Sequence, residues 1–68
     1  MANKTAFFYG GFYWQGYRNG NTVRILRDGT EFFSANIRPD GAWEVSIPFH
    51  NTTDDAEALM VFQDRLAG

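Results

Sequence analysis

The chain has 68 residues and no cysteine, so it is long enough for one small domain, and disulfides and thiolate metal sites are excluded. Seven Phe, three Tyr and two Trp supply the core, since each buried aromatic side chain removes roughly 150–250 Å² from water. The net charge of −2 is uneven, because the last quarter of the chain is acidic. This distribution disfavours nonspecific binding to nucleic acid, which depends on neutralising phosphates.

Turn signals containing glycine recur through the first two thirds of the chain. They are Gly10-Gly11, Asn19-Gly20, Asp28-Gly29 and Asp40-Gly41, and such pairs supply the positive φ angles of tight hairpin turns. The segments between them have strand length and cover residues 5–9, 12–18, 22–27, 30–38 and 42–49. We expect an antiparallel meander of four strands, and a fifth if Gly10-Gly11 is a turn. The alternative is a bulge at Gly10-Gly11 within one long first strand.

The segment from Phe32 to Phe49 predicts a hairpin with one apolar face. Phe33, Ala35 and Ile37 alternate with residues Phe32, Ser34, Asn36 and Arg38. After the turn at 39–41, the alternating apolar residues are Trp43, Val45, Ile47 and Phe49. This period of two is typical of half-buried strands.

The chain from residue 54 to 67 predicts a helix. Its apolar face consists of Ala58, Leu59, Phe62 and Leu66. Acidic residues near its start and Arg65 near its end suit the helix dipole. Because a helix of this length is marginal alone in water, we expect it to dock on the sheet face that carries Trp43, Val45, Ile47, Phe33 and Ile37.

These elements predict a single α+β domain over residues 1–68, with a sheet over about 5–49 and one C-terminal helix over about 54–67 packed on one face. A small closed barrel with the helix as a plug is the structural alternative. No apolar run approaches the ~20 residues needed to cross a bilayer, and no signal peptide is recognisable. We therefore expect a cytoplasmic protein without a membrane partner.

Catalytic chemistry finds little support in the sequence. His50 is the only histidine, and Ser46 lies four residues before it, which in a strand separates the two by ~13 Å. The carboxylates are scattered over turns and the helix start, and the glycines match no phosphate-binding loop. We predict no enzyme, no metal site and no cofactor.

The tyrosines give the strongest functional signal. Tyr9, Tyr13 and Tyr17 are four residues apart, so an unbroken first strand would place all three on one face, with Phe8, Phe12 and Trp14 on the core face. A break at Gly10-Gly11 would leave only Tyr13 and Tyr17 together. Tyrosine is enriched at protein interfaces, and Arg18, Arg24 and Arg38 would border this surface. Structural packing over the outer sheet surface explains the same pattern, and stacking on single-stranded bases is a third interpretation.

The residues from 33 to 59 also carry a resemblance. Phe33, Ala35, Ile37, Phe49, Thr53, Asp54, Asp55 and Ala56 follow the order of an aromatic-x-Ala-x-Ile strand, a strand ending in an aromatic, and a Thr-acidic-acidic-Ala helix start. In this they resemble the three-stranded DNA-binding domains of plant AP2 factors and the arm-binding domains of tyrosine integrases. The resemblance implies that Arg24, Asn36 and Arg38 contact DNA bases.

The sequence therefore favours a non-enzymatic module that binds a protein partner through Tyr9, Tyr13, Tyr17, Arg18, Arg24 and Arg38. Its size and composition suggest a phage or mobile-element accessory protein, such as an inhibitor of a host factor. DNA binding of the AP2 or integrase-arm type is the alternative. Self-association through the N-terminal strand, at Phe7-Phe8-Tyr9, is a further alternative.

Overall fold

The structure is a computed structural model, and it describes residues 3–45 and 53–67. The strands are β1 (Lys4–Tyr9), β2 (Phe12–Asn19), β3 (Thr22–Arg27), β4 (Thr30–Ile37) and β5 (Trp43–Val45), and the helix is α1 (Thr53–Leu66). All strands pair antiparallel in one open sheet in chain order. The predicted α+β meander is confirmed, and the closed barrel is wrong. The predicted extension of the last strand to residue 49 lies outside the described residues.

Gly10 and Gly11 form a two-residue turn between β1 and β2. Both have positive φ angles, 61° and 85°, and Tyr9 is paired with Phe12 across the turn. A bulge within one strand is therefore wrong, and the fifth strand exists. Because paired residues of neighbouring strands share a face, Tyr9 lies on the face of Phe12, and Phe8 lies on the opposite face from Phe12 and Trp14.

The core lies between the helix and one face of the sheet. The sheet contributes Trp14, Val23, Ile25, Phe33 and Ala35, and the helix contributes Ala58, Phe62 and Leu66. In the described part of the chain, every buried side-chain nitrogen or oxygen has a hydrogen-bond partner. The predicted helix face is confirmed for three of its four residues, while Leu59 is only partly buried.

The helix lies on the predicted apolar face of the sheet, but it packs most closely on β1 and β2 and not on β4 and β5. Phe62 contacts Phe7, with ring centroids 4.8 Å apart, and lies against Trp14 at 6.3 Å. Gly16 has no side chain, so α1 can approach β2 directly at this position. Trp43, which was expected to be central, is only partly buried and lies at the margin of the core.

A β-bulge in β4 changes the predicted face of Phe32. The register between β3 and β4 shifts at Ile25 and Leu26, so that Ile25 faces Phe33 and Leu26 faces Glu31. Phe32 is the extra residue, and it packs on Trp14 with a centroid distance of 5.8 Å. Phe32 and Phe33 therefore both join the core side of the sheet, and the expected alternation fails here.

Two arginines join the ends of the helix to the sheet. The Arg27 guanidinium lies over the rings of Phe12 and Phe32, at 4.4 and 4.1 Å from their centroids. It also approaches the Asp55 carboxylate at 3.7 Å. At the opposite end, the Arg18 guanidinium donates to the Leu66 carbonyl. The Arg18 cation complements the helix dipole at the C-terminus, and at the N-terminus the Asp55 carboxylate does so while Arg27 pairs with it.

Candidate functional site

The sheet face opposite α1, hereafter the outer face, carries a cluster of aromatic side chains. The register places Phe8 beside Tyr13 and Tyr17 between Lys4 and Arg24. Phe8 is 81% exposed, and its ring lies 4.8 Å from that of Tyr13. Tyr13 and Tyr17 expose 36% and 41% of their surface. We call Phe8, Tyr13 and Tyr17 the outer aromatic patch.

A shallow depression adjoins this patch. Its lining residues are Lys4, Thr5, Ala6, Tyr13, Gln15 and Tyr17. Ala6 lies opposite Gln15 in the register, and its small side chain leaves room between the larger neighbours. The Gln15 amide donates to the Tyr17 hydroxyl over 3.1 Å, so the polar end of that ring is already oriented. The depression combines apolar surface, the Tyr17 hydroxyl and the Lys4 side chain within one small area.

The turn between β3 and β4 holds the backbone at Tyr13. The Tyr13 N–H donates to the Asp28 carboxylate over 2.8 Å. The Asp28 N–H donates to the Tyr13 carbonyl over 2.7 Å. Asp28 and Gly29 have positive φ angles of 52° and 82°, which turn the carboxylate back towards β2. These two hydrogen bonds hold the backbone at Tyr13 in place, and a rigid backbone lowers the entropic cost of binding through the patch.

Two of the predicted surface residues lie on the other face. Tyr9 pairs with Phe12, and its carbonyl accepts a hydrogen bond from the Trp14 indole at 3.0 Å. Arg18 donates to the carbonyls of Gly20 and Leu66. The expectation from an unbroken strand that Tyr9 joins Tyr13 and Tyr17 is therefore wrong, because Tyr9 shares the face of Phe12, its partner across the turn. Arg18, which was expected to border that surface, lies on the helix side because it has the same parity as Trp14.

Arg24 and Arg38 do lie on the outer face, and both are ion-paired. The Arg24 guanidinium is 2.8 Å from the Glu31 carboxylate. Arg38, farther along the sheet, is 2.8 Å from Asp40 and 4.0 Å from Glu44.

Asn36, the third residue implicated in DNA contact, lies opposite Glu44. Because carboxylates compensate both arginines, the residues that the resemblance assigned to DNA do not form a basic surface.

Sequence reasoning missed Phe8 and Lys4 as members of this surface. Phe8 was assigned to the core face on the assumption of an unbroken strand. The signal that identifies it is the turn itself: with two turn residues, each β1 position n pairs with position 21 − n of β2, as in Phe8 with Tyr13. Lys4 follows from the same count, since it pairs with Tyr17.

Other chemistry is sparse among the described residues. In residues 3–45 and 53–67, no three His, Cys, Asp or Glu side chains are placed to hold a metal ion. His50 and Ser46 lie outside the described residues. The single helix of the described chain is too short and too polar to span a membrane. Comparison of the chain with protein families, with curated proteins and with solved structures found no match.

Proposed function

We propose that this protein is a non-enzymatic module that recognises a protein partner through the outer aromatic patch. The observation that carries the proposal is Phe8, a large apolar ring that is 81% exposed and stacks on Tyr13 at 4.8 Å, away from the core. Exposed apolar area concentrated in one place is typical of interaction sites. Aromatic residues, Tyr among them, are enriched at such sites.

The surroundings of the patch support a protein partner. The depression beside it combines apolar area with the Tyr17 hydroxyl, the Gln15 amide and the Lys4 ammonium. Such a surface can bury one apolar side chain and satisfy a few polar groups around it. Arg24 is paired with Tyr17 in the register, and its guanidinium is held by Glu31. Arg24 therefore lies at the rim of the proposed interface.

Binding of DNA through the same face receives less support. Arg24 and Arg38 would have to exchange their carboxylate partners for phosphates or base edges. Breaking each ion pair reduces the free energy gained from counterion release.

We further propose a cytoplasmic site of action. From size and composition, we propose an accessory role in a phage or mobile element, such as inhibition of a host factor.

Affinity capture with the immobilised protein tests the proposal. We expect the wild-type protein to retain a protein partner from a lysate of the source cell, and the double variant Tyr13→Ala/Tyr17→Ala to lose it. Tyr9→Ala is the matched control, because Tyr9 is as exposed as Tyr13, at 36%, but lies on the helix side. Retention of the same partner by the double variant would contradict the proposal, provided that circular dichroism shows all three proteins folded.

An oligonucleotide titration tests the alternative. We expect the amide resonances of the ¹⁵N-labelled protein to stay unshifted when mixed-sequence single- or double-stranded oligonucleotides are added at low salt. Shifts confined to β3, β4 and β5 that reverse at high salt would establish the DNA interpretation instead, since salt weakens phosphate contacts far more than an aromatic interface.

A further inference from the structure

The outer edge of β1 presents backbone groups for pairing. β1 is the first strand of the sheet and pairs only with β2 among the described strands. The Asn3 carbonyl accepts from the Arg18 N–H over 2.7 Å. Because hydrogen-bonded and outward-pointing residues alternate along an antiparallel strand, the backbone groups of Lys4, Ala6 and Phe8 point away from β2. The Arg65 guanidinium donates to the Ala6 carbonyl over 3.5 Å, so an added strand would replace this hydrogen bond.

A basic side chain flanks this edge on each face. Lys4 has the parity of Ala6 and lies on the outer face. On the helix side, the Arg65 guanidinium donates to the Thr5 hydroxyl over 3.1 Å and lies 5.2 Å from the centroid of the Phe7 ring. Within the described chain neither has a carboxylate at ion-pair distance, whereas Arg24, Arg27 and Arg38 each have at least one. The Lys4 end of the edge therefore carries two positive charges that no carboxylate of the described chain compensates.

We propose that β1 accepts an extended acidic segment of the partner protein as a sixth strand. Successive side chains of a strand point to opposite faces, so two consecutive Asp or Glu residues place one carboxylate near Lys4 and the other near Arg65. Farther along the edge, an apolar side chain of the segment packs beside Phe8. Backbone hydrogen bonds supply the affinity of such strand addition, and the flanking side chains supply its selectivity.

The charges at the edge disfavour a second copy of this chain as the occupant. In an antiparallel pairing of two β1 strands centred on Ala6, both Arg65 guanidinium groups would lie at the centre of the interface, because each contacts Thr5 and Ala6. Like charges placed opposite each other in a sheet are destabilising. An acidic strand removes this conflict and compensates both cations. The inference rests on the proposed function, since β1 borders the outer aromatic patch and the added strand belongs to the same partner.

Synthetic peptides test the strand addition directly. The probe is the blocked peptide Ac-TVTVEET-NH₂, titrated into the ¹⁵N-labelled full chain. We expect the largest amide shifts and slowed hydrogen exchange at Lys4, Ala6 and Phe8. The lysine peptide Ac-TVTVKKT-NH₂ and a version of the probe methylated at alternate backbone nitrogens are the controls, and we expect neither to bind.

Charge reversal supplies the second arm of the test. The variant Lys4→Glu/Arg65→Glu should bind the glutamate peptide about tenfold less tightly and gain affinity for the lysine peptide. The single variants Lys4→Glu and Arg65→Glu show which of the two cations contributes more to the affinity for the peptide. A thermal melt confirms that the double variant folds, since Arg65 also contacts Phe7.

Three results would overturn the inference. They are the absence of binding at millimolar glutamate peptide, equal binding of the methylated peptide, and shifts confined to Tyr13, Gln15 and Tyr17 without protection of the β1 amides. The last of these would leave the proposed function standing. Conversely, the affinity capture with Tyr13→Ala/Tyr17→Ala tests the outer aromatic patch and not the edge of β1. Failure of the proposed function and failure of the strand addition therefore give different results.

Discussion

Gly16 lies directly beneath the ring of Phe62. A Cβ atom at position 16 would be 2.7 Å from two carbons of that ring and 3.0 Å from the Leu66 side chain. Gly16 is not among the residues with positive φ, so the requirement for glycine here comes from space rather than from backbone conformation. The close packing of α1 on β2 at this point therefore depends on the missing side chain of Gly16.

We expect Gly16→Ala to lower the free energy of unfolding by about 1–3 kcal/mol, the usual cost of overpacking a core. Urea denaturation measures it. Phe62→Leu removes the ring edge, so the double variant should lose less than the sum of the two single losses. A gain of stability, as Gly→Ala gives where nothing collides, would show that the helix lies farther from β2.

The Arg27 guanidinium forms the second contact that orders the helix. It lies between the rings of Phe12 and Phe32 and beside Asp55, which is only 4% exposed. We expect Arg27→Met to lower the free energy of unfolding by about 1–2 kcal/mol, because the cation–π contacts and the ion pair with the buried Asp55 carboxylate are lost together.

A double-mutant cycle with Asp55→Asn isolates the pair. We expect a coupling energy of about 1 kcal/mol that changes little with salt, since buried pairs are weakly screened. The matched control is the exposed pair of Arg24 and Glu31, mutated to Met and Gln, whose coupling should be no more than about 0.5 kcal/mol and should fade with salt. Equal couplings in the two cycles would contradict the structure.

The two tryptophans differ in their contribution to stability. Trp14 is completely buried, whereas Trp43 is partly exposed at the margin of the core. We expect Trp14→Ala to cost about 3–5 kcal/mol, comparable to the roughly 3–10 kcal/mol available to a chain of this size. Trp43→Ala should cost about half as much. Trp14→Phe provides a folded comparison if Trp14→Ala is unfolded, and equal losses at positions 14 and 43 would contradict this assignment of the core.

The sequence predicted the elements well because each has a local cause. Turn pairs such as Asn19-Gly20 set the strand ends, and the spacing of Ala58, Phe62 and Leu66 defined the buried helix face. The prediction failed where tertiary contacts decide. No local pattern shows that Phe32 is the extra residue of a bulge, or that Gly16 makes β1 and β2 the dock for the helix.

The candidate site was recognised in part for the same reason. Tyr13, Tyr17 and Arg24 follow from the alternation within single strands, which the sequence displays. Phe8 and Lys4 depend on the type of turn that joins β1 to β2. The ion pair of Arg24 with Glu31 depends on which strands are neighbours, whereas Arg38 pairs with Asp40 two residues along the chain. Together these pairs changed the expected basic border into a neutral one.

The turn at Gly10 and Gly11 therefore decides which side chains reach the outer face, and it can be tested by itself. A side chain at Gly11 would meet nothing within 4 Å, but its φ of +85° is unfavourable for residues with a Cβ. We expect Gly11→Ala to lower the free energy of unfolding by about 1 kcal/mol or more, and Gly11→Asn to cost less, because asparagine tolerates positive φ. If the backbone at Gly11 were extended, alanine would be accepted as well as asparagine. Equal stability of the two variants would then contradict the two-residue turn at Gly10-Gly11, and with it the placement of Phe8 beside Tyr13.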